Sequence, residues 1–146
     1  MKFFLFTVLL FTAFLPAHSQ KSEVFQKDGA ALRGYDPVAF FTAQKPVKGS
    51  ATFSTTWKDA TWHFSSPANL NAFIKDPERY APQYGGYCAY GMAGGYKAPT
   101  EIDTWTIVNG KLYFNYNQKV KDTWSRDIPS YIQKADANWP TVKTKS

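Results

Sequence analysis

The sequence predicts a single small α+β domain with two β-hairpins, a short central helix and a C-terminal amphipathic helix. Alternating apolar and polar residues flank two turn dipeptides, Lys58-Asp59 and Asn109-Gly110, and this pattern is typical of β-hairpins. Apolar residues at three- and four-residue steps follow each hairpin, and that spacing predicts helices. Two hairpins, each followed by a helix, fit one α+β domain.

The N-terminus has the pattern of a secretory signal peptide. Lys2 precedes an apolar run over residues 3–15, and Ala17 and Ser19 occupy the two positions that a signal peptidase reads. The run is too short for a transmembrane helix, so we expect a cleaved signal peptide over residues 1–19, with a short buried helix as the alternative. No later stretch is apolar enough to span a bilayer. The sequence therefore predicts an exported protein, periplasmic or secreted.

The remaining chain, residues 20–146, has the composition of a globular domain. Aromatic residues make up 18% of the sequence, and each can bury a large area, so a core without disulfides is feasible. The formal net charge of the full chain is +6, and its basic residues are mostly scattered lysines with no contiguous basic run, which argues against nucleic-acid binding. The one cysteine, Cys88, cannot form a disulfide within the chain. In an oxidising compartment such a thiol is buried, kept reduced for a purpose, or paired with another chain.

The first hairpin and the central helix are adjacent in the sequence. Before the Lys58-Asp59 turn, β-forming side chains occupy alternate positions: Phe53, Thr55 and Trp57. After the turn, residues 61–64 again favour a strand. We expect Ser65 or Ser66 to cap a helix that Pro67 begins.

The second hairpin and the C-terminal helix complete the domain. Asn109-Gly110 between alternating apolar residues is the strongest short-range hairpin signal that a sequence offers. From Lys119 to Trp139, apolar residues recur at helical spacing: Val120, Trp124, Ile128, Ile132 and Ala135. Pro129 lies inside this pattern, so we expect it to kink the helix or to begin a new one. The sequence shows no internal repeat.

Several motifs resemble the YHS-domain family. Trp62-His63-Phe64-Ser65-Ser66, then Phe73 and Asp76-Pro77-Glu78-Arg79-Tyr80, resemble the family core, and Asp36-Pro37-Val38 resembles its opening. The resemblance places this core over about residues 35–82. Exported, extended members are similar over three more segments: Gly34 to Ala39, Gly85 to Ala89, and Ala135-Asp136 to Trp139-Pro140. Residues 20–146 are thus interpreted as a YHS-like domain with extensions.

The resemblance implies metal binding, with copper as the candidate cofactor. The short YHS module occurs in copper-transporting ATPases and in some aromatic hydroxylases, and cysteine thiolates are soft ligands that suit Cu(I) or zinc. Carried over by position, the family's cysteines correspond to Ala39, Ser65 and Asn69, and none of these is a cysteine. The usual thiolate set is therefore absent from this chain.

A different metal site can be built from Cys88, Met92 and His63. Cys88 and Met92 are four residues apart, which places them on one face of a helix, and with His63 they would suit Cu(I). The alternatives are that Cys88 is a small buried hydrophobe, that Met92 fills a gap in an aromatic core, and that His63 is a structural or surface histidine.

Cys88 alone is also a candidate redox or nucleophilic thiol. The preceding Gly85-Gly86 would let the backbone approach a ligand closely, and a helix that begins near residue 87 would lower the thiol pKa. Tyr84, Tyr87 and Tyr90 around it are candidates for an aromatic ligand-binding pocket, although aromatic residues more often form a core.

The sequence favours an exported binding or accessory module over an enzyme, and leaves enzymatic activity open. No Ser-His-Asp spacing, paired-carboxylate motif or phosphate-binding glycine loop is present. The main hypothesis is a module that binds a small ligand or a metal ion, copper in particular. The alternative is a thiol-dependent redox protein that uses Cys88. Ligand, partner and oligomeric state are left open.

Overall fold

The structure, a computed structural model, describes residues 22–145, so the predicted signal peptide lies outside the described residues. Six helices are present in this part of the chain: α1 (Ala39–Thr42), α2 (Pro67–Lys75), α3 (Pro77–Tyr80), α4 (Ala89–Ala93), α5 (Gln118–Trp124) and α6 (Ile128–Val142). Six strands pair antiparallel in sequence order: β1 (Gln26–Lys27) with β2 (Ala30–Ala31), β3 (Ser50–Trp57) with β4 (Ala60–Phe64), and β5 (Thr106–Val108) with β6 (Lys111–Tyr113). The predicted α+β class is confirmed.

Each hairpin turns through two residues with left-handed backbone, as expected for the type I′ turns that match strand twist. The pairs are Asp28 and Gly29, Lys58 and Asp59, and Asn109 and Gly110. The second and third hairpins were predicted. The first hairpin is additional to the two that were predicted, because its strands are two residues long and leave no alternating pattern to detect.

The helix boundaries follow from capping and proline chemistry. The Ser66 hydroxyl accepts the Asn69 N–H at 3.1 Å, and Pro67 occupies the first turn of α2, as predicted. The C-terminal pattern is divided into α5 and α6, with Pro129 in the first turn of α6. Pro129 therefore begins a new helix instead of kinking a continuous one. Within residues 22–145, no helix is long and apolar enough to cross a membrane.

The core consists of two aromatic clusters. In the first, Phe73 of α2 packs against Trp62 and Phe64 of β4, with ring centroids 5.1 Å apart in both pairs. The second is built around Met92 of α4 and Trp124 of α5, with α6 packed on one side. Large aromatic side chains are thus central to both clusters.

Two left-handed turns precede the two parts of the fold. Leu32, Arg33 and Gly34 have φ of 51°, 53° and 80°, and Tyr84, Gly85 and Gly86 have φ of 57°, 61° and 84°. Each turn is closed in the same way, since the N–H of the following tyrosine donates to the first carbonyl, at 2.9 Å for Tyr35 and 3.0 Å for Tyr87. Consecutive left-handed residues other than glycine are unfavourable, so tertiary contacts must hold both turns.

The same order of elements follows each turn. A tyrosine leads to a buried capping side chain, Asp36 or Cys88, then to a short helix, a hairpin and a capped helix. We call residues 32–75 the first unit and residues 84–124 the second unit. The sequence shows no internal repeat, and the two units are similar in the order of their elements. Few residues are identical between the two units. One identical pair is the Gly-Tyr at the end of each turn, Gly34-Tyr35 and Gly86-Tyr87.

Gly85 provides a stability test of the second turn. A Cβ at Gly85 would overlap the Glu23 carbonyl oxygen, whereas a Cβ at Gly110 would meet no atom within 4 Å. We expect Gly110→Ala to lower the free energy of unfolding by about 1–2 kcal/mol, which is the cost of placing a residue with a Cβ in the left-handed region. Gly85→Ala should cost about 1–3 kcal/mol more, because the backbone must shift. Urea unfolding measures both, and equal losses would contradict the close packing at Gly85.

Candidate functional site

Asp36 is the centre of a buried hydrogen-bond network in the first unit. Its side chain is fully buried. The Oδ1 atom accepts the backbone N–H groups of Val38 at 2.8 Å and Ala39 at 3.3 Å. The Oδ2 atom accepts the Ser65 N–H at 2.8 Å, the Ser65 hydroxyl at 2.6 Å and the Asn69 side-chain amide at 2.8 Å. Five donors thus surround one carboxylate, and hydrogen bonds to a charged acceptor are stronger than those between neutral groups.

The network brings together the three positions at which the resemblance implies cysteines. Ala39 engages Asp36 through its backbone, while Ser65 and Asn69 engage it through their side chains. A carboxylate offers about four lone-pair sites, and five donors occupy them. The three positions therefore meet in space as a metal site would require, but they serve a carboxylate instead of a metal ion.

Cys88 is the corresponding residue of the second unit. Its side chain is 1% exposed, and Sγ caps α4 by accepting the Gly91 N–H at 3.4 Å. The thiol in turn donates to Asn115 Oδ1 at 3.5 Å. Burial raises the pKa of Cys88, and this outweighs the opposite effect of the backbone N–H groups of Gly91, Tyr116 and Tyr90. The N–H groups at the start of α4 thus act on the thiol pKa in the expected direction, but burial has the larger effect and the net pKa is raised.

The surroundings of Cys88 resemble those of Asp36, although Cys88 lies directly before α4 and Asp36 lies three residues before the first residue of α1. Each caps a short helix with a backbone N–H three residues further on. Each also accepts a backbone N–H from a second residue, one that directly precedes the cap of the next helix. This residue is Ser65 for Asp36 and Tyr116 for Cys88. Asn115 Nδ2 is buried and has no hydrogen-bond partner in the described part of the chain. We conclude that Cys88 is a buried structural cap, the neutral counterpart of Asp36.

Met92 and His63 occupy different environments. Met92 is fully buried in the second aromatic cluster, and its N–H donates to the carbonyl of Cys88, the residue directly before α4, at 2.8 Å. His63 is half-buried on β4, on the face opposite the buried Trp62 and Phe64, as alternation predicted. Among residues 22–145, His63 makes no hydrogen bond to Cys88 or Met92, and no cluster of three or more His, Cys, Asp or Glu side chains could hold a metal ion. The copper site stays a prediction.

The three tyrosines of the predicted pocket face different neighbours. Tyr84 donates to Asp136 Oδ1 at 2.8 Å and lines a small cavity of about 80 Å³. Burial and this carboxylate raise the pKa of Tyr84 far above its ordinary value. Tyr87 lines a separate cavity of about 360 Å³, and Tyr90 packs on Tyr131 with ring centroids 5.2 Å apart.

Sequence reasoning missed a cleft at the junction of the two units. Two adjoining cavities, of about 530 and 360 Å³, share Arg33, Glu101 and Asn117 as common walls, and we call them together the Arg33 cleft. Arg33 Nη2 donates to the Thr100 carbonyl at 2.9 Å and lies 3.7 Å from the Glu101 carboxylate. Arg33 belongs to the first unit, whereas Glu101 and Asn117 belong to the second, so only the fold brings these three residues together.

Asp36→Asn tests the network. The amide nitrogen of the substituted side chain would face hydrogen-bond donors, so we expect a loss of about 3–5 kcal/mol in the free energy of unfolding. The matched control is Asp127→Asn, because Asp127 is an exposed cap of α6 and asparagine caps equally well; its cost should stay under about 0.5 kcal/mol. Similar losses for both variants, measured by chemical denaturation, would refute the central role of Asp36.

The reactivity of Cys88 tests its role as a buried cap. Since the thiol is buried and its pKa is raised, we expect iodoacetamide at pH 7 to alkylate the native protein many times more slowly than the same chain in guanidinium. Intact-mass spectrometry over time gives both rates. A native thiol that reacts as fast as the unfolded one would contradict this account.

Comparison with known proteins gives one family match, to a segment that overlaps most of the first unit. The sequence model of the YHS domain matches residues 38–84, beside the 35–82 expected from the motifs. No curated protein and no solved structure matches the chain significantly. The matched segment contains Ala39, Ser65 and Asn69, the positions gathered around Asp36. Residues 38–84 of this chain are therefore similar to the YHS domain.

Proposed function

We propose that this protein is an exported binding or accessory module of the YHS type, in which the Asp36 network has replaced a thiolate metal site. The observation that carries the proposal is the convergence of Ala39, Ser65 and Asn69 on one buried carboxylate. Hard oxygen and amide groups replace the soft ligands that Cu(I) or zinc prefers. Export is supported by the signal-peptide pattern of residues 1–19.

The groups best suited to chemistry are engaged in the core, which favours binding over catalysis. Asp36 is saturated with hydrogen bonds, and Cys88 is buried with a raised pKa. General acid–base catalysis needs a titratable group within reach of a substrate, and neither side chain meets this requirement. Space for a small molecule exists instead in the open cleft at Arg33.

Copper binding by Cys88, Met92 and His63 is a second candidate. It is favoured by the placement of Cys88 and Met92 in and directly before one short helix, which gives two soft sulfur ligands close together in the chain. This site would need His63 to join them, and it would displace the hydrogen bond between Cys88 Sγ and Gly91.

Anaerobic titration with Cu(I) separates these proposals. The Cys88→Ser protein should bind no copper, because its Asp36 network offers no free soft ligand. Adding Ala39→Cys, Ser65→Cys and Asn69→Cys to that protein should restore one equivalent of Cu(I), since the fold already brings the three positions together. Wild-type protein measured beside them reports on the Cys88 site alone.

Each result has a definite meaning. Copper bound by Cys88→Ser and lost on Asp36→Asn would overturn the replaced-site proposal. A folded triple-cysteine variant that binds no copper would also overturn it. One equivalent bound by the wild type and lost in Cys88→Ser would establish the second candidate. Circular dichroism of every variant confirms that the fold is retained.

A further inference from the structure

We propose that the Arg33 cleft binds a small zwitterion, namely a free α-amino acid with an apolar side chain. This inference rests on the proposed role as a binding module and names the class of its ligand. It is carried by the charges, the backbone conformation and the apolar walls of the cleft.

Arg33 provides a positive charge that the protein only partly neutralises. Its side chain is 19% exposed, and its nearest carboxylate, Glu101, lies 3.7 Å away with 56% of its own side chain exposed. Arg33 Nε is buried without a hydrogen-bond partner among the described residues. A guanidinium in this setting is a favourable partner for a carboxylate, which it can bind through two parallel hydrogen bonds.

The backbone at Arg33 is held in a costly conformation. Arg33 has φ of 53°, and Leu32 before it has φ of 51°, although both are residues that disfavour the left-handed region. The equivalent position of the second unit, Gly85, carries a glycine. Strained positions of this kind cluster at ligand-binding sites, where the side chain placed by the strain is needed. The strain thus points to a role for the Arg33 side chain beyond the fold.

Two carboxylates line the same 530 Å³ cavity as Arg33. Glu101 is one, and Asp103 is the other; within residues 22–145 the Asp103 carboxylate makes no hydrogen bond or ion pair. These acids provide a partner for a cation and repel a second negative charge on the ligand. The 530 Å³ cavity, with one guanidinium and two carboxylates, matches the carboxylate and ammonium groups of an amino acid better than it matches a phosphate dianion. Lys27 adds a second cation to the wall of the adjoining cavity.

The remaining walls fit an apolar side chain. Tyr35, Pro46 and Ile102 line the larger cavity, and Tyr116, which is 49% exposed, lines the adjoining one. Sites for small molecules have volumes of about 300–1,000 Å³ and combine apolar walls with a few polar groups. The cleft has both properties.

Isothermal titration with L-phenylalanine and L-leucine tests the proposal, in buffer with a chelator so that metal plays no part. The matched probes are 3-phenylpropionate, which lacks the ammonium group, and 2-phenylethylamine, which lacks the carboxylate. We expect saturable binding of the amino acids and at least about tenfold weaker binding of either analogue, because each loses one charge-assisted contact. No binding of the amino acids at 10-fold excess over about 1 mM protein, or equal binding of the analogues, would overturn the proposal.

Variants assign the binding to the cleft. Arg33→Gln and Asp103→Asn should each weaken the binding of L-phenylalanine at least about tenfold. The control is Arg126→Gln, which should leave the affinity unchanged, because Arg126 is exposed and does not line the cleft. Arg33→Gly serves as a second variant if Arg33→Gln is unstable. Because glycine adopts the left-handed φ without strain, this variant should unfold at the wild-type urea concentration but should lose amino-acid binding. Wild-type affinity in both Arg33 variants would refute the site. Copper uptake by the Cys88→Ser protein would contradict the proposed function without altering any of these titrations.

Discussion

The fold of the first unit depends on the buried carboxylate of Asp36. It ties the start of α1 to the end of β4 and the first turn of α2, so three elements that are distant in sequence meet at one side chain. Burying a charge is costly unless hydrogen bonds compensate for its lost hydration. Five donors do so here, and the loss of any of them leaves the charge less well compensated.

The second unit repeats this arrangement with a neutral side chain. Cys88 caps α4 as Asp36 caps α1, and a left-handed turn followed by tyrosine leads into each. The lone thiol therefore has a structural explanation that needs neither a disulfide nor a metal. A thiol accepts hydrogen bonds weakly, so the second unit relies more on the aromatic packing around Met92 and Trp124.

Local chemistry in the sequence predicted most of the elements but not the site. The third hairpin follows directly from Asn109-Gly110, and α2 follows from Ser66-Pro67, because both pairs act on neighbouring residues. Leu32 and Arg33 are left-handed only because the tertiary structure holds them so, and no local pattern announces this. The Asp36 network and the Arg33 cleft depend on contacts between residues far apart in the sequence, such as Asp36 with Ser65 and Arg33 with Thr100, so only the folded chain reveals them. The similarity of the two units could not be seen in the sequence, because the units share backbone geometry but few side chains.

The central claim is that Ser65 and Asn69 act on the Asp36 carboxylate as one network. A double-mutant cycle measures this directly, using the free energies of unfolding of Asp36→Asn, Asn69→Ala and the double variant. The account predicts a coupling energy of about 1.5–3 kcal/mol, the value of a hydrogen bond to a charged group. Losses that simply add, with coupling under about 0.5 kcal/mol, would contradict it.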